Sequence, residues 1–278
     1  MSGVVFLNLQ LQGIPVTAKL IFYCEHKHFC CYRVLILINS FPLFSWMYIF
    51  NRMAGYSAYE IDNSEVVSMV LARRRYPRPS NSQLASTLSS SNSIGFLIAR
   101  NPYERLISAY RDKIIGAWRD SWHDKMSKTI VVKYRHIPPQ SYLFGVTVPT
   151  FKEFISYIID EYRSGKAPDM HWAPVFSFCN PCQVKLTHII KFETFDRDTA
   201  GLLDILDLKH LLPSTGKLDL NKSKDSNHSS SAFVEKYLQE LTPDQLKSLQ
   251  EIYGADFEIL GYDKRENFQF RRNPTPHI

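Results

Sequence analysis

A chain of 278 residues and 32.3 kDa is long enough to bury one large α/β domain. With 45% apolar and 22% charged residues it is no disordered chain, and 11 glycines, 15 prolines and 5 cysteines exclude collagen-like and disulfide-dense classes. Lys and Arg number 33 against 27 Asp and Glu, and the resulting +6 suits an anionic ligand, an acidic polymer or a membrane surface without choosing among them.

Residues 1–19 carry no basic leader and only a short apolar patch at Val4 to Leu7, so they read as an N-terminal segment outside the domain rather than a signal peptide. Val34 to Phe50 is uncharged but interrupted by Asn39, Ser40, Pro42 and Ser45. It predicts a buried strand followed by a helix start, in preference to a membrane span. Arg73 to Ser93, rich in Arg, Pro, Ser and Asn, reads as an exposed connector, and its Arg73-Arg74-Arg75 run as a solvated face or a polyanion contact.

Ile94 to Ala99 is a continuous apolar run of strand length, suited to a sheet covered on both faces. A helix follows at once, with Pro102 in its first turn and Tyr103, Leu106, Ile107, Tyr110 and Ile114 in one stripe. Thr150 and Glu153 form a capping box for a helix that Gly165 closes. Leu186 to Phe192 is the second strand candidate, leading into a helix through Leu202, Leu203 and Leu206. Asp219 to Ser231 is a polar loop with glycosylation sequons at Asn221 and Asn227. Thr242, Pro243 and Gln245 open a last helix that Gly254 is expected to end, and residues 266–278 read as a tail. Strands alternating with helices predict an α/β fold, a single domain over residues 20–265 with a mainly parallel sheet.

The five cysteines, Cys24, Cys30, Cys31, Cys179 and Cys182, read as buried thiols or one structural disulfide. Zinc at Cys179 and Cys182 would need ligands borrowed from the Cys24 to His28 cluster, and no metal is expected. The chemistry concentrates in Arg100-Asn-Pro-Tyr-Glu-Arg-Leu-Ile-Ser-Ala-Tyr-Arg-Asp-Lys113. Arg100 stands where an apolar strand ends and a helix begins, the place where open α/β sheets bind ligands and helix N-termini offer N–H groups to anions. Arg105 and Ser108 share a helix face, and a guanidinium with a hydroxyl can grip a phosphate. The competing reading is an ordinary strand-to-helix turn with Arg100 paired to a carboxylate.

This segment resembles the donor-binding motif of the Golgi carbohydrate sulfotransferases, the group that acts on chondroitin, dermatan and the HNK-1 glycan. Further matches follow in order: His171-Trp172, Cys179-Asn-Pro-Cys182, Lys191-Phe-Glu-Thr194, Tyr253-Gly-Ala-Asp-Phe257 and Gly261-Tyr262, with Tyr23-Cys24 and Trp46 to Gly55 resembling the opening. The resemblance implies a P-loop-like sulfotransferase architecture. It also implies 3′-phosphoadenosine 5′-phosphosulfate as cosubstrate, a glycan acceptor, and a lumenal site at the Golgi membrane. It places Arg100 and Ser108 on the 3′-phosphate of the donor. His171 matches a family position and is the candidate general base, with a loop-orienting role as the alternative; Glu193 is the other carboxylate or imidazole considered.

One departure stands out. Where the family carries a lysine and hydroxyl turn for the 5′-phosphosulfate, this chain has Leu35-Ile-Leu-Ile-Asn-Ser-Phe-Pro-Leu-Phe44, with no lysine. The alternative function is therefore an impaired sulfotransferase-like protein that binds nucleotide or glycan without turnover. No Gly-x-x-x-x-Gly-Lys-[Ser/Thr] occurs, which excludes a P-loop kinase.

Overall fold

The computed structural model describes residues 4–8, 19–23, 41–77, 82, 93–135, 148–179, 186–212 and 230–263. In chain order these form β1 (Val4–Asn8), β2 (Lys19–Tyr23), α1 (Phe41–Met53), α2 (Ala58–Asp62), α3 (Ser68–Arg75) and β3 (Ser93–Ala99). Next come α4 (Pro102–Ala109), a π-helical segment (Tyr110–Ile115), α5 (Trp122–Arg135), α6 (Phe151–Arg163), α7 (Val175–Cys179) and β4 (His188–Lys191). A short 3₁₀ turn (Phe192–Thr194) leads into α8 (Phe195–Ile205), a second 3₁₀ turn (Lys209–Leu211), α9 (Ser230–Gln239) and α10 (Pro243–Ile259). The chain divides into two compact units, each discontinuous in sequence: residues 1–100 with 175–223, and residues 101–174 with 224–278.

The first unit holds the sheet, in the order β2-β1-β3-β4. The α/β class holds, but the mainly parallel sheet does not. Among the described residues only β3 and β4 pair in parallel, Phe96 opposite His188 and Ala99 opposite Lys191. β1 is antiparallel to both β2 and β3. Side-chain periodicity carries no information about strand direction. A short link suffices for the antiparallel β1–β2 pair, whereas a parallel pair needs a long crossover such as the one between β3 and β4. Residues expected to stand apart as an N-terminal segment thus contribute a strand.

Trp46 and Phe50 on α1 pack with Phe96 on β3, the Trp46 and Phe96 rings lying 4.4 Å apart, and Ile98, Ile190, Phe195, Leu202 and Leu203 complete this core. The sequence placed a helix start before Phe50, and α1 begins at Phe41 with Pro42 in its first turn, where no N–H is needed. Buried Asn51 donates to Met47 O and Ser68 O, both at 2.9 Å, so one amide ties α1 to the start of α3. The arginine run belongs to the last turn of α3 rather than to a connector, and there its charge complements the helix dipole. Residues 34–40, where the strand expected within Val34 to Phe50 would begin, lie outside the described residues, as do 78–81 and 83–92, the sequon loop at 219–229, the tail, and Cys24, Cys30, Cys31 and Cys182. Among the described residues no helix is long and apolar enough to cross a membrane.

The second unit is helical. The predicted stripe of α4 is buried throughout, and Asn101 caps the helix by accepting from Tyr103 N and Glu104 N. Tyr110 meets Phe151 and Phe154 of α6, and α10 adds Leu249, Ile252, Tyr253 and Phe257. Both predicted capping boxes are present, at Thr150 and at Thr242. α6 ends as expected at Gly165, whose φ of +69° lets its N–H reach Tyr162 O while Lys166 N–H reaches Glu161 O. α10 does not end at Gly254. It runs on to Ile259 and closes at Gly261, φ +67°, because buried Tyr253, Asp256 and Phe257 outweigh the cost of about 1 kcal/mol for a mid-helix glycine. Thr242→Ala is expected to destabilise the protein by about 1 kcal/mol. Urea unfolding reads this, and an unchanged midpoint would remove the capping box from the account.

Candidate functional site

In the first unit, the carboxyl ends of β3 and β4 lie side by side. Arg100 directly follows β3, and its guanidinium stacks 4.5 Å from the centroid of Phe192, the residue that directly follows β4. Arg100 thus stands stacked on an aromatic ring at the adjoining ends of two parallel strands, with Lys191 closing β4 beside it. Glu193 is exposed on the 3₁₀ turn beside it.

In the second unit, Ser108 is half-buried on α4. Arg105 does not join it as an anion grip. It is 3% exposed, donates to His171 O at 3.2 Å and Ala173 O at 2.6 Å, and stands 3.8 Å from the Asp256 carboxylate. Tyr253 donates to Trp172 O at 2.5 Å. Both side chains hold the backbone of the His-Trp segment, so the motif's inner arginine is a fastener of that loop. A sequence cannot separate the two roles, since either one places an arginine on the same helix face.

What they fasten is a polar cluster. Asp169 Oδ1 accepts from the His171 backbone N–H at 2.8 Å and lies 2.5 Å from His171 Nδ1. Its other oxygen is 3.3 Å from His123 Nε2 on α5, close enough to stabilise charge though not aligned as a regular hydrogen bond. The two imidazoles are 5.3 Å apart, edge to face. His171 Nε2 is buried with no hydrogen-bond partner among the described residues. Burial pulls the His171 ring below its ordinary value, Asp169 counteracts that, and nearby Lys113 adds to the lowering. Burial alone would raise the Asp169 carboxyl, but the imidazoles of His123 and His171 outweigh it and hold the group well below the usual carboxylate range. The result at neutral pH is an ionised carboxylate facing a neutral His171.

Sequence reading singled out His171 and missed Asp169, His123 and Lys113. His123 stands on α5, and its partner Asp169 is supplied only by tertiary packing. Lys113 is buried because the chain widens into a π-helical turn between Tyr110 and Ile115, a feature frequent at functional sites. His123, Asp169 and His171 do offer donor atoms within 4.8 Å of one another. Lys113 is ion-paired with Asp112 at 2.8 Å, which offsets part of its charge near His171.

Next to this cluster the surface changes character. Trp122 is 58% exposed, yet its ring lies 5.0 Å from that of half-buried His123. An aromatic face left in water beside a half-buried polar cluster offers a platform for a ligand with both apolar and hydroxyl surfaces.

The sequence signature of the sulfotransferase family matches residues 43–263, and the chain belongs to that family. It is 28% identical over 168 residues to mouse (Mus musculus) carbohydrate sulfotransferase 11, an alignment covering 60% of this chain and 46% of the relative. It is 30% identical over 166 residues to human (Homo sapiens) carbohydrate sulfotransferase 9, covering 60% and 37%. Xenopus laevis carbohydrate sulfotransferase 12 is 30% identical over 179 residues, covering 62% and 40%. The chain thus spans less than half the length of these curated relatives. No solved structure matches it.

Proposed function

We propose that the chain transfers a sulfuryl group from 3′-phosphoadenosine 5′-phosphosulfate to a hydroxyl of a glycan. The observation that carries this reading is, in one unit, an arginine stacked at adjoining strand ends and, in the other, an imidazole held by a carboxylate, its second nitrogen without a hydrogen-bond partner among the described residues. Membership of the family and the carbohydrate sulfotransferase names of the relatives support the substrate class.

In this reading Arg100 and Ser108 hold the donor's 3′-phosphate, on the strength of the motif they belong to. His171 Nε2 accepts the proton of the acceptor hydroxyl, whose oxygen forms the new bond to sulfur. The bond from sulfur to the 5′-phosphate oxygen breaks, and its electron pair leaves with the phosphate. Such a loose in-line transfer needs positioning and charge stabilisation more than covalent chemistry, and the nucleotide charges can be met without a metal. A lumenal Golgi site follows from the same resemblance.

The test is transfer of labelled sulfate from the donor to desulfated glycosaminoglycans. Transfer supports the enzyme. Nucleotide binding with no transfer to any acceptor supports the second reading, an impaired relative, which the lysine-free Leu35 to Phe44 stretch motivates. Within the first reading, Trp122→Ala is expected to raise the acceptor KM about three- to tenfold, the value of one aromatic contact, and to leave the donor KM unchanged. Equal acceptor KM values would take Trp122 out of the acceptor site.

A further inference from the structure

We infer that Asp169 is the positioning residue of the reaction: its carboxylate fixes the His171 ring through Nδ1, 2.5 Å away, and so leaves Nε2 as the proton acceptor. This rests on His171 serving as the base.

Three features of the geometry carry it. First, one carboxylate oxygen takes both the backbone N–H and the Nδ1 of the same residue, so the ring cannot turn about its own χ angles without breaking a charge-assisted bond. Second, a neutral imidazole carries one proton. A carboxylate at Nδ1 claims it, which makes Nε2 the bare nitrogen. Third, that Nε2 is buried and has no hydrogen-bond partner among the described residues. A buried lone pair left unmet is unfavourable, and a hydroxyl reaching the nitrogen would remove that penalty. His123 Nε2, 3.3 Å from the second oxygen, keeps the carboxylate ionised from its far side.

The groups acting on the His171 ring are Asp169 from its own loop, Lys113 from the π-helical segment and His123 from α5. Tyr157 of α6 is coupled in turn to Asp169, and Arg105 binds the His171 carbonyl. A base must be uncharged, so transfer falls as pH drops through the His171 pKa. Asp169 favours the charged imidazolium. Its removal therefore lowers that pKa and moves the acid limb of the rate profile to lower pH, while the rate on the plateau falls because the ring loses its tautomer and orientation.

The experiment compares wild type, Asp169→Asn, Asp169→Glu and His171→Ala as full chains, with labelled donor and a desulfated glycosaminoglycan, between pH 5 and 9. Asparagine retains an acceptor for the backbone N–H, so the loop keeps its fold, as thermal melting monitors. Asp169→Asn is expected to lower kcat by about 10- to 100-fold with both KM values within twofold, to shift the acid limb downward, and to be partly rescued by Asp169→Glu. Histidine ring NMR titration of the same chains reads the His171 shift without turnover. A uniform loss with the limb and the NMR pKa unmoved, while His171→Ala is inactive, would overturn the role of Asp169 and leave His171 as base. Full activity in His171→Ala would overturn the base itself, and the inference with it. Loss of transfer on adding 1,10-phenanthroline, restored by zinc, would make the trio metal ligands and overturn it by another route.

Discussion

Arg105→Met is expected to destabilise the second unit by about 3–5 kcal/mol, the usual result of removing one partner from a buried charge pair. Arg105 is 3% exposed and the Asp256 side chain fully buried, so water cannot replace the lost guanidinium. The same guanidinium also satisfies the carbonyls of His171 and Ala173, which would be left short of a donor. Urea unfolding measures the loss. Arg105→Met combined with Asp256→Leu should recover a large part of it, since an apolar pair carries no desolvation penalty, and the recovery would appear as coupling in a double-mutant cycle. A single-variant loss below about 1 kcal/mol would mean that the loop is fastened mainly by Tyr253 and its own packing.

Arg100→Ala is expected to weaken donor binding by roughly 10- to 150-fold, the value of one charge-assisted contact to a phosphate, with a parallel fall in transfer. Isothermal titration with 3′,5′-adenosine bisphosphate reads the binding directly. Arg100→Lys should restore little, because an ammonium neither stacks flat on Phe192 nor offers a planar fork. An unchanged affinity in Arg100→Ala would remove the motif's leading residue from the donor site, and with it the main support for the proposed cosubstrate.

The sequence disclosed elements whose signals are local. The apolar run of β3, the stripe of α4 and the capping boxes of α6 and α10 each declare themselves within a few residues, and each is present. β1 escaped because five residues of patch look like any short apolar stretch until a sheet edge is there to receive them. The extension of α10 past Gly254 depended on contacts made elsewhere in the unit. Of the candidate site, Arg100 and His171 were legible through the motifs around them. His123 was not, since it reaches the site from another element; Asp169 stands only two residues before His171 and was within reach of the sequence, but a lone carboxylate ahead of a histidine shows no pairing until the loop is folded. Arg105 was legible as a residue of interest but not in its role, which depended on which neighbour the guanidinium turned toward.

The π-helical turn at Tyr110–Ile115 has a bearing on kinship. Hydrogen bonding from i to i+5 accommodates one residue more than an α-helix of equal length, so this stretch behaves as a single-residue insertion tolerated at the C-terminal end of the helix that α4 begins, before the turn at Gly116. Relatives that lack the extra residue would keep the helix but rotate its last turn, and position 113 would then face a different neighbourhood. An alignment of such chains should therefore open a one-residue gap here, and the members without it should carry the inward cation, if they carry one, at a neighbouring position.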